Sequence, residues 1–180
     1  MLPRVPLLTA RLCLRPYELA DADAFFALLD GERARFFASF PDRLGAVHEL
    51  SDAVTLLRAF GEDWHSGRFY VFGIWHRANA AYLGDICLMP QSKGQAEIGY
   101  YLAAAAEGQG YAREALTAVT AFGFETVGSL RLLIRCYADN TRGQAVACAA
   151  GFQREQLPKR PFWFRNADTV ANIHRFHLAR

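Results

Sequence analysis

The chain has 180 residues, 52% of them apolar, with 20 Lys and Arg against 18 Asp and Glu for a net charge of +2. That length supports one domain, residues 1–180, with a substantial core, and the near-neutral balance argues against a general affinity for nucleic acid. No apolar run approaches the roughly 20 residues that span a bilayer, and the opening MLPRVPLLTARL has no signal-peptide core, so neither a membrane span nor secretion is expected.

Arg11 to Tyr17 alternates as a strand does until Pro16 stops it. Asp21 or Asp23 is placed to cap a helix running to about Asp30, with Phe25, Leu28 and Leu29 facing inward. Arg33 to Leu44 reads as a loop rich in phenylalanine (Phe36, Phe37, Phe40), broken at Pro41. Ser51 is placed to cap a second long helix, apolar at Val54, Leu57 and Phe60 and ending near Gly67. Two strands follow, Arg68 to His76 and Ala81 to Met89, and Lys93–Gly94 turns the chain. Ala96 to Leu102 has the β-branched and aromatic character of a buried strand. Gly108 and Gly110 bracket Gln109 before a helix whose apolar face is Ala112, Ala115, Leu116, Val119 and Phe122. Arg131 to Ala138 alternates at Leu132, Ile134 and Cys136. Asp139–Asn140–Thr141 then caps a last helix ending at Gly151–Phe152. Strands are expected around Phe152 to Gln156 and Thr169 to Leu178, with Phe162, Trp163 and Phe164 beside Arg160 and Arg165 holding the hairpin or bordering a pocket.

Cys13, Cys87, Cys136 and Cys148 are scattered through apolar segments without a C-x-x-C or metal-ligand pattern, which predicts core or free thiols in a reducing compartment, the cytoplasm. His174 and His177 fall on opposite faces of a strand, and His48, His65 and His76 lack partners at useful spacing, so no metal is expected. Residues 21–63 hold nine acids and four arginines, and residues 151–180 hold six bases and two acids. Solvated surface accounts for both, and the acidic segment can also draw in a cationic amine.

The strand–glycine–helix layout over Ala96 to Leu116 suits an anion. A helix start offers unpaired N–H groups and partial positive charge, and glycines let a phosphate approach the backbone. Two familiar phosphate loops are excluded: there is no G-x-x-x-x-G-K-[ST], and Arg113 stands where G-x-G-x-x-G needs its third glycine.

The stretch resembles motif A of the GNAT family of acyl-CoA-dependent N-acyltransferases, of form [Q/R]-x-x-G-x-[G/A]. Gly110 and Ala112 match, and Glu107 departs from the first position. AEIGYYL and YAREAL around it resemble the ribosomal-protein N-acetyltransferase (RimJ/RimL-type) branch, as does Thr9 to Pro16 (T-x-R-L-x-L-R-P), and YLGDICL resembles the family's third strand. The frame from Asp139–Asn140 to Gly151–Phe152 is similar to the family's closing motif, with Gly143 replacing a frequent serine and Ala147 a tyrosine. The resemblance implies a mixed α/β fold: a twisted, mostly antiparallel sheet splayed between its fourth and fifth strands, with helices on both faces. It implies acetyl-CoA as cofactor, bound at Tyr100, Tyr101, Leu102, Gly108, Gln109, Gly110, Tyr111, Ala112, Arg113, Asn140 and Gly143. A carboxylate at Glu107 repels a pyrophosphate unless it turns away.

Acyl transfer to a primary amine needs a neutral amine, a donor for the oxyanion and a proton for the thiolate, with no nucleophilic side chain required. An α-amine is about a tenth neutral or more at pH 7, and a lysine only about four parts in ten thousand, so a protein N-terminus or weakly basic small amine needs little help. Glu97, on the strand that should line the thioester, is the candidate base through a water relay; its bland alternative is a side chain that faces solvent or pairs with an arginine. Tyr101 is paired with Glu97 as catalytic, although alternation lets only one of Tyr100 and Tyr101 reach the cofactor. Glu107, Gly143 and Ala147 leave a second reading, an acyl-CoA-binding module that does not transfer, and a homodimer is left open.

Overall fold

The computed structural model describes residues 2–37, 40–156 and 173–180. The strands are β1 (Leu7–Leu8), β2 (Leu12–Arg15), β3 (Tyr70–His76), β4 (Tyr82–Pro90), β5 (Gln95–Leu102), β6 (Arg131–Tyr137), β7 (Gln153–Arg154) and β8 (Ile173–Ala179). They form one sheet ordered β1-β2-β3-β4-β5-β6-β8-β7. Every pairing is antiparallel except β5 with β6, which run parallel.

That parallel pairing covers only Gln95↔Arg131, Ala96↔Leu132 and Glu97↔Leu133. Beyond it β4 follows β5 to Leu102, and β8 follows β6 to Tyr137. The facing edges of 98–102 and 134–137 therefore part without pairing each other. This is the expected splay; the two-residue β1 precedes the strand expected to be first and moves the numbering by one.

The helices are α1 (Ala22–Gly31), α2 (Arg33–Phe36), α3 (Pro41–Gly45), α4 (Leu50–Ser66), α5 (Tyr111–Ala121) and α6 (Thr141–Ala149), with a π-helical turn at Phe122–Thr126 after α5. β3 is buried from Tyr70 to Trp75 because helices cover both faces of the sheet. Alternation sends Phe72 and Ile74 into one core with Leu116 and Val119 of α5, and Val71 and Trp75 into another with Phe25 of α1 and Leu57 and Phe60 of α4. Burying each such side chain contributes about 1.5–3 kcal/mol before chain entropy is charged against it.

Several local expectations are corrected. Asp21 holds the N-cap position of α1, but its carboxylate accepts from Arg15 at 2.7 and 2.8 Å and from the Glu18 N–H at 2.7 Å instead of capping, and Asp23 lies inside the helix. Reciprocal bonds between Glu49 and Asp52 cap α4, and the Ser51 hydroxyl donates to Glu49 at 2.5 Å. The segment read as a phenylalanine-rich loop contains α2 and α3. Cys148 is exposed rather than a core thiol. The strand after Phe152 shrinks to β7; Arg160, Phe162, Trp163, Phe164 and Arg165 lie outside the described residues. Gly67 closes α4 in the left-handed region at φ +73°, where that glycine was expected to end it. No helix among the described residues is long and apolar enough to cross a membrane.

Candidate active site

The glycine loop leads straight into α5. Gly108 and Gly110 have φ of +76° and +81°, a region that strains other residues, and Gly110 is the N-cap. The first bond into the helix is Glu114 N–H to Gly110 O at 3.1 Å, so the amides of Tyr111, Ala112 and Arg113 precede the ladder and are free to face a ligand. The connection between β1 and β2 clamps this turn. Thr9 Oγ1 donates to Glu114 Oε1 at 2.6 Å, Arg11 Nε to Glu114 Oε2 at 2.7 Å, and Arg11 Nη1 to Gln109 O at 2.9 Å. The Gln109 side chain closes the loop on Ala105 O at 3.0 Å. Tyr111 is buried beneath the Arg11 guanidinium, 4.6 Å from its ring centre.

Two cavities meet where β5 and β6 part. The larger, about 770 Å3, runs along the glycine loop and is lined by Leu102, Gly108, Gly110, Tyr111, Ala112 and Arg113, with Val146 and Ala149 of α6 opposite. The smaller, about 590 Å3, lies beneath α3 and is lined by Arg43, Phe60, Phe69, Asp85, Met89, Glu97 and Arg135. Phe40, Tyr100, Asn140 and Gly143 line both. Asn140 caps α6, its Oδ1 accepting the Gly143 N–H at 2.8 Å. A Cβ at position 143 would stand 2.8 Å from Asn140 Nδ2, so a side chain there would require the capping Asn140 amide to shift.

The two adjacent tyrosines point to opposite faces. Tyr100 Oη donates to Gly143 O at 3.3 Å, reaching from β5 to α6 across the gap. Tyr101 packs in the other core, 4.7 Å from Phe36 and 5.2 Å from Phe40 between ring centres, with its hydroxyl 3.5 Å from Arg43 Nη1. Burial raises the pKa of both phenols well beyond the usual tyrosine value.

Arg43 is ion-paired with Asp85, a residue 1% exposed, and Tyr17 Oη donates to the same carboxylate at 3.3 Å. Burial pushes the Asp85 carboxyl upward, opposed by Arg43, Tyr101 and Tyr17. On the same face of β5 as Tyr101, Glu97 Oε1 accepts from Arg135 Nε at 2.6 Å and Oε2 from Gln91 Nε2 at 3.1 Å. Glu97 thus has the arginine partner that formed its bland reading and also lines the smaller cavity.

Glu107 is turned into ion pairs: Oε1 meets Arg35 Nη1 at 2.5 Å, and Oε2 meets Arg142 Nη1. Sequence reasoning had singled out neither arginine, nor Arg43 and Asp85. The only local signal was that Arg142 follows Asn140 within the closing frame.

The family model for the acetyltransferase (GNAT) domain matches residues 11–153. The uncharacterized N-acetyltransferase YoaA of Bacillus subtilis (strain 168) is 27% identical over 92% of this chain and 93% of its own. A structure from Vibrio cholerae, described as a candidate ribosomal-protein-serine acetyltransferase, is 25% identical with a TM-score of 0.78 over 100% of both chains. RimL, a ribosomal L7/L12 alpha-N-protein acetyltransferase solved with coenzyme A, shares the fold at a TM-score of 0.81 and 17% identity, covering 97% of this chain and 98% of its own. With the model spanning most of the chain and the splayed sheet and glycine-loop helix in place, this protein belongs to the GNAT acetyltransferase family.

Proposed function

We propose that the chain transfers the acetyl group of acetyl-CoA to a primary amine, by direct attack while both are bound. The observation that carries this reading is the junction of the two cavities at Phe40, Tyr100, Asn140 and Gly143, inside the gap between β5 and β6. The larger cavity fits a nucleotide thioester: it offers the first-turn amides of α5 and three arginines (35, 113 and 142) against one carboxylate. The coenzyme A in RimL, a protein of the same fold, supports that fit. The smaller cavity combines aromatic walls with three carboxylates, and with Asp85 paired to Arg43 and Glu97 to Arg135 its lining keeps one net negative charge, at Asp42, which suits an amine. A protein N-terminal amine is the acceptor class this reading favours, because it is the least costly to deprotonate.

Glu97 takes the amine proton through water. It lies three steps along the strand from Tyr100, roughly 10 Å at 3.3 Å per residue, too far for direct contact with a group at the junction. Arg135 and Gln91 fix its carboxylate on the cavity wall. Backbone amides on the unpaired edge of β5 between Ile98 and Leu102 supply donors for the developing oxyanion. Tyr100 stabilises the leaving thiolate by a hydrogen bond. Its raised pKa makes full proton transfer to a thiolate uphill, so the proton comes from the amine or solvent. Tyr101, held at Arg43, shapes the roof with Phe36 and Phe40.

Calorimetric titration of acetyl-CoA, with ATP as comparison, tests the cavity assignment. Selective binding of acetyl-CoA is expected; equal affinity for ATP, or no binding by folded protein, would contradict it.

A further inference from the structure

We propose that Glu107 is an internal stand-in for the cofactor's phosphate, holding Arg35 and Arg142 beside the glycine loop until the anion takes them over. The proposal rests on the larger cavity being the CoA site. Both oxygens of Glu107 are engaged, each by a different guanidinium: Arg35 from α2 and Arg142 from the first turn of α6. All three residues line that cavity; Arg35 is held there also by Glu32 and by the Leu102 carbonyl, whereas Arg142 depends on Glu107. The Arg142 side chain is 77% exposed and has no other ion-pair or hydrogen-bond partner among the described residues, so Glu107 alone keeps it there.

A carboxylate and a phosphate present the same acceptor oxygens to a guanidinium, and the phosphate carries more charge. An arriving phosphate therefore competes for groups that Glu107 has already placed, and their long side chains need not be ordered afresh. The competition also weakens binding, because Glu107 must give up its ion pairs or stand near the phosphate. The departure at motif position one is thereby offset: cations brought from α2 and α6 supply the positive charge, and Glu107 sets how readily they are released.

Calorimetry of CoA with wild type, Glu107→Gln, Arg142→Gln and Arg142→Lys tests this, with the thermal midpoint of each recorded to confirm folding. Glu107→Gln should bind CoA about threefold to tenfold more tightly, because losing the competing charge outweighs losing the prior placement of the arginines. Arg142→Gln should bind roughly tenfold or more weakly, with Arg142→Lys in between. Acetylpantetheine, which carries no phosphate, should show the same KM with wild type and Glu107→Gln. Unchanged or weaker CoA binding by Glu107→Gln, or undiminished binding by Arg142→Gln, would overturn the stand-in. Failure of wild type itself to bind CoA would instead remove the underlying cavity assignment. If wild type binds and Gly110→Asp does not, that assignment survives whatever Glu107→Gln shows.

Discussion

Arg11 grips Glu114 twice, its Nε donating to Oε2 at 2.7 Å and its backbone N–H to Oε1 at 2.8 Å. The same guanidinium reaches Gln109 O, and Thr9 completes the clamp on Glu114. The T-x-R stretch and the glycine loop, about 100 residues apart in the chain, therefore form one structural unit at the start of α5. Its job is to hold the loop's free amides in place.

That clamp is pH-sensitive in a definite direction. Burial works against the Glu114 carboxylate, but the bonds from Thr9 and Arg11 outweigh it and hold its pKa below the usual 4.5. A lowered carboxylate pKa gives stability that is present above the unfolded value and lost as pH falls through the folded value. Glu114→Gln should cost about 1–2 kcal/mol at neutral pH, several degrees in Tm, and the difference from wild type should shrink below pH 4.5. A difference constant across that range would contradict this.

Asp85→Asn should be the more damaging change. It leaves Arg43 buried without its counter-charge, which costs about 3–5 kcal/mol. Replacing both with apolar residues of similar volume should recover most of the loss. Denaturant midpoints measure both; an unperturbed single mutant would show that the pair does not anchor α3 to β4.

Gly110→Asp should abolish acetyl-CoA binding while leaving the fold intact. The residue must adopt φ of +81°, costing about 1–2 kcal/mol, and it sets a carboxylate at the helix start. Circular dichroism and calorimetry together check this. Native affinity in the mutant would move the phosphates elsewhere.

Glu97→Gln should lower turnover mainly below about pH 8, where an α-amine still has to lose its proton. Equal turnover at every pH would acquit Glu97. The rate should not fall again at higher pH through tyrosine ionisation, because burial pushes Tyr100 and Tyr101 upward. Tyr100→Phe should reduce kcat without altering the shape of the profile.

The core was legible because it is periodic. Leu132, Ile134 and Cys136 are buried as their alternation predicts, and Ala115, Leu116 and Val119 form the inner face of α5. Caps were read less well. Ser51 is a good capping residue, but the reciprocal Glu49–Asp52 pair one turn apart won. α2 and α3 are too short to show a period, and their phenylalanines suggested a loop. The small residues of α6 give it little amphipathic signal, which hid the exposure of Cys148. Least legible were the ion pairs that build the site. Arg35 and Arg142 meet Glu107 across 72 and 35 residues, and no local spacing encodes such contacts.

Acceptor-dependent release of free thiol from acetyl-CoA, with the acetylated product identified by mass spectrometry, tests the central claim most directly. Thiol release that requires a primary amine, favours peptides with free N-termini and disappears in Gly110→Asp is the predicted result. Tight acetyl-CoA binding with no release across a broad amine panel would contradict it, leaving an acyl-CoA-binding module without transfer.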